Sequence, residues 1–90
     1  MNIELVKEAR DNFAKATADL EQARALLREK ELDAAIARRE GKEQIAAVFD
    51  AEHTRLTTEL WFPVYEKRKQ AVLALCDALD IEPRILRVAL

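Results

Sequence analysis

The sequence predicts an all-α fold: an elongated antiparallel helical hairpin with a Pro-kinked second helix and a short C-terminal helix, self-associating into a helical bundle. Three observations predict it. Ala, Glu, Lys, Leu and Arg supply 54 of the 90 residues, above the roughly one-half that marks long helices and coiled coils. One glycine and two prolines leave little punctuation for loops. Large and small apolar residues also alternate at heptad spacing along the first arm. Ninety residues make one small domain, taken as 1–90.

The first helix is expected over about 3–39. Seven-residue steps from Val6 reach Phe13, Leu20 and Leu27, and steps from Ala9 reach Ala16 and Ala23. Alanine on one row of this seam lets a neighbouring backbone come close, so these seven residues are the expected self-association face. Asn2 suits the N-cap, Glu4 suits the positive end of the helix dipole, and Asp11 with Lys15 forms an i,i+4 pair. Lys30 interrupts the seam, and the apolar pattern moves to Leu32 and Ile36. The arm is therefore expected to lose its neighbour there, or to present a second contact surface on its distal third.

Gly41 follows Arg38 and Arg39, as a helix C-cap follows cations in the last turn. It places a turn near 40–42. A second helix is expected over about 43–79, with Ile45, Phe49, Leu56, Leu60, Val64, Ala71 and Leu75 in a stripe about 120° wide. Trp61, Tyr65, Val72, Cys76 and Leu79 form another row about 100° further round. One antiparallel neighbour cannot cover both. Pro63 sits where the second row begins and predicts a kink near 61–63. Pro83 then opens a short helix, about 83–89, whose Ile81, Ile85, Leu86, Val88 and Leu90 could fold over the second row.

The formal charge of −2 gives no field to recruit nucleic acid or an anionic membrane. The longest uncharged run, Gln70 to Cys76, is too short for a membrane span, and MNIELVKEAR has no signal-peptide core. One cysteine excludes an internal disulfide and fits a cytoplasmic setting. His53, the only histidine, stands three residues after Asp50, which is half of a metal-binding pair with no second half. No nucleophile–base arrangement or glycine-rich phosphate loop is present. No catalytic residue, metal, cofactor or small-molecule substrate is therefore expected.

One segment resembles a known family. In LCDALDIEPRILR, residues 75–87, the positions of Leu75, Ala78, Leu79, Ile81, Pro83, Leu86 and Arg87 are similar to the helix–turn–helix of repressor-type DNA-binding domains. Asp80 stands where that pattern has glycine, and Glu82 would face DNA with a negative charge. The resemblance implies an alternative function as a small DNA-binding regulator. The residues themselves point to a protein–protein interaction module: an assembly, adaptor or regulatory factor whose partner is another protein, a second copy, or both. Trp61, Phe62, Tyr65, Val72 and Cys76 are its expected partner-binding residues.

Overall fold

The computed structural model describes residues 2–86, which are almost entirely helical with no strand among them. Helix α1 spans Ile3–Arg39 and α2 spans Glu43–Leu56. A π-helical turn, Thr57–Trp61, leads directly into α3, Phe62–Leu79, and α4 is a single turn, Pro83–Leu86. The part of the expected last helix that would carry Arg87, Val88 and Leu90 lies outside the described residues.

Local chemistry sets the helix ends. The Asn2 side chain accepts from the backbone N–H of Glu4 at 3.0 Å and of Leu5 at 3.3 Å, satisfying donors that the first turn leaves open. Helices α1 and α3 stop in the same way. Gly41 N–H donates to Arg38 and Lys42 N–H to Ala37, at 3.0 and 2.8 Å. Asp80 N–H donates to Asp77 and Ile81 N–H to Cys76, at 3.1 and 3.0 Å. Both are Schellman motifs, which need one residue in the left-handed region. Gly41 takes it with φ 77° and Asp80 with φ 57°. Aspartate is among the few side chains that enter this region routinely.

Contacts gather the chain into two compact units. One unit is Glu21–Pro63. In it the second part of α1 reverses at Gly41 and runs antiparallel to α2, tied by Arg38 to Asp50, Lys30 to Glu52 at 3.1 Å and Glu31 to His53 at 3.2 Å. Its buried residues are Ala23, Ala34, Ala37 and Ala46. The seam therefore does not fail at Lys30. Leu27, Lys30, Ala34 and Ala37 keep the alternating four- and three-residue steps, and Leu32 and Ile36 lie off the seam. Lys30 fits a core position because its aliphatic stem packs inward while its ammonium reaches Glu52 and lies 5.7 Å from the Phe49 ring centre.

The other unit joins the chain up to Leu20 with the chain from Val64 onward. Ala9, Leu20, Val72, Leu75 and Cys76 are buried there, and Arg68 lies over Phe13 with 5.4 Å to the ring centre.

The π turn explains the two apolar rows of the second arm. Extending the inward positions Phe49, His53, Leu56 and Leu60 at heptad spacing leads to Pro63, Lys67, Gln70, Ala74 and Asp77, all of which are exposed. Each following residue, Val64, Arg68, Ala71, Leu75 and Ala78, is partly or fully buried. The π turn inserts one residue, so the covered positions after it fall one residue later than the heptad count from α2 gives. Its cause lies in the sequence. Pro63 has no N–H to give the Glu59 carbonyl, and its ring would clash with that carbonyl in a tight α turn. The wider turn, in which Phe62 N–H donates to the Thr57 carbonyl, relieves this. The hydroxyls of Thr54, Thr57 and Thr58 each donate to the carbonyl four residues back, a habit that loosens helices just where the extra residue enters.

Candidate functional site

Trp61 and Phe62 end the Glu21–Pro63 unit, with ring centres 5.1 Å apart and planes at 70°, an edge-to-face contact. Trp61 is half-buried, whereas Phe62 is 55% exposed. Tyr65, Val72 and Cys76 belong to the other unit. Tyr65 is half-buried, and Val72 and Cys76 are core residues at 0% and 2% exposure. Of the expected partner-binding set, Val72 and Cys76 are thus covered and Trp61, Phe62 and Tyr65 are at least partly exposed. Val72 and Cys76 cannot touch a partner while the unit stays folded, because the register shift at the π turn carries them inside.

The residues of the expected self-association seam are covered to different degrees. Ala9, Leu20 and Ala23 are buried within the single chain, and Val6, Phe13, Ala16 and Leu27 are partly covered. Any face for a second copy has to be sought among the residues still exposed.

Those residues include Leu32, Ile36, Ile45 and Val48, each between 48% and 61% exposed. All four belong to the Glu21–Pro63 unit. Ile36 and Ile45 line one groove there, floored by Ala37 and Phe49 and edged by Asp33, Glu40 and Lys42. Periodicity does not single out Val48, and it places Ile45 in the inward stripe. The available signal was Ala46, whose neighbours at four-residue and three-residue steps place it, and not Ile45, on the seam.

The electrostatics of this unit are pairwise. Arg38 donates to Asp50, and that hydrogen bond is the main reason its guanidinium is held above the ordinary arginine range. Lys30 is held above the usual lysine value chiefly by its hydrogen bond to Glu52, with partial burial opposing it and Glu52, Glu29 and Asp33 adding attraction. His53 Nε2 faces Glu31, and Asp50 is taken by Arg38, so the Asp50–His53 pair suggested by spacing does not form. The Asp11 carboxylate pairs with neighbouring Arg10 at 3.9 Å and not with Lys15. Among the described residues, no three His, Cys, Asp or Glu side chains gather to hold a metal, and no helix is long and apolar enough to cross a membrane.

Compared with known protein families, curated proteins and solved structures, the chain matches none.

Proposed function

We propose that the chain is a non-catalytic protein–protein interaction module, an assembly, adaptor or regulatory factor of the cytoplasm. In this reading it is a helical hairpin whose second arm bends at Pro63 and whose exposed faces associate with another protein or a second copy. The observation that supports it is Phe62. A large aromatic ring is 55% exposed and held edge-on by Trp61, while Trp61, Val64 and Tyr65 around it are partly covered. Aromatic anchors of limited rotamer freedom are the side chains that dominate interface energetics.

The test is Phe62→Ala. Because the ring contributes little to burial, stability should change by no more than about 1 kcal/mol. Sedimentation velocity over a hundredfold concentration range, with and without candidate partners, should show weakened association. A large loss of stability with unchanged association would assign Phe62 to the core and end this reading. Duplex DNA binding that falls steeply with salt, and is lost on Arg84→Ala with Arg87→Ala, would favour the DNA-binding alternative.

A further inference from the structure

We draw no further inference here: the strongest candidate, the exposed apolar surface of Leu32, Ile36, Ile45 and Val48 on the Glu21–Pro63 unit, carries nothing because nothing in the structure shows what covers it.

Discussion

The two compact units are built from the same kind of helix but hold together by different means. In Glu21–Pro63 every fully buried residue is an alanine, and ion pairs link α1 to α2 on both sides of the seam. In the other unit the buried set includes Leu20, Val72, Leu75 and Cys76. Burying a leucine or valine side chain stabilises by about 1.5–3 kcal/mol, against roughly 0.8 kcal/mol for one methyl-sized group. Alanine instead lets two backbones approach closely and leaves the larger aliphatics to face outward. The unit with the larger core still leaves Ile3, Leu5 and Leu73 exposed. The other keeps Leu32, Ile36, Ile45 and Val48 on its surface.

The largest expected effect tests this difference directly. Leu75→Ala removes a buried leucine from the unit with the larger core and should cost about 2–5 kcal/mol in urea unfolding. Leu32→Ala makes the same chemical change in the other unit, where the side chain is 61% exposed, and should fall within about 0.5 kcal/mol. If the two costs are similar, Leu32 is a core residue and the contrast between the units disappears.

Much of this was legible in the sequence, and what was not has two identifiable causes. Composition fixes the helices, Asn2 caps the first, and Gly41 turns the chain, because each is a local effect of propensity or backbone geometry. The continuation of the seam was hidden because the heptad reading scored Lys30 as an interruption. A lysine's apolar stem occupies a seam position while its charge escapes to Glu52, and residue type alone does not reveal this. The second apolar row was visible, but its meaning was not. A helical wheel assumes 3.6 residues per turn throughout, so an inserted residue at Thr57–Trp61 looks like a wider face. Pro63 and the three threonines before it were the available signal. The candidate partner set suffered directly, since Val72 and Cys76 fell on the outside of the unbroken wheel and lie inside the folded unit.

The next effect down compares the two helix stops, one in each unit. They share a hydrogen-bond pattern but differ in the residue at positive φ. At Gly41 no atom lies within 4 Å of where a Cβ would sit, so Gly41→Ala introduces no clash. It should still destabilise by about 1 kcal/mol, because alanine pays the left-handed backbone penalty that glycine avoids. Asp80→Gly removes that penalty and should stabilise by a smaller amount, on the order of 0.5 kcal/mol. Thermal unfolding of both variants checks the signs. Two changes in the same direction would mean that the left-handed residue does not govern these stops.

The smallest effect concerns the charges that substitute for a large core in Glu21–Pro63, and pH separates two of them. Lys30 has a raised folded-state pKa, so its interaction with Glu52 contributes stability fully below the unfolded lysine value, about 10.4. That contribution is lost as pH rises through the higher folded value. Arg38, beside Asp50, is raised as well, but it starts so high that it stays charged throughout the accessible range. Lys30→Met keeps an aliphatic stem over Phe49 and removes only the charge, and Arg38→Met does the same for the other pair. The stability gap between wild type and Lys30→Met should be constant from neutral pH to about pH 10 and narrow above it. The gap for Arg38→Met should stay flat over the same interval. Using differences cancels every group the two proteins share, so titration elsewhere in the chain does not enter. A Lys30 gap that persists at high pH would mean the residue holds its seam position through its stem, and that the ammonium–Glu52 contact follows from that packing without contributing to it.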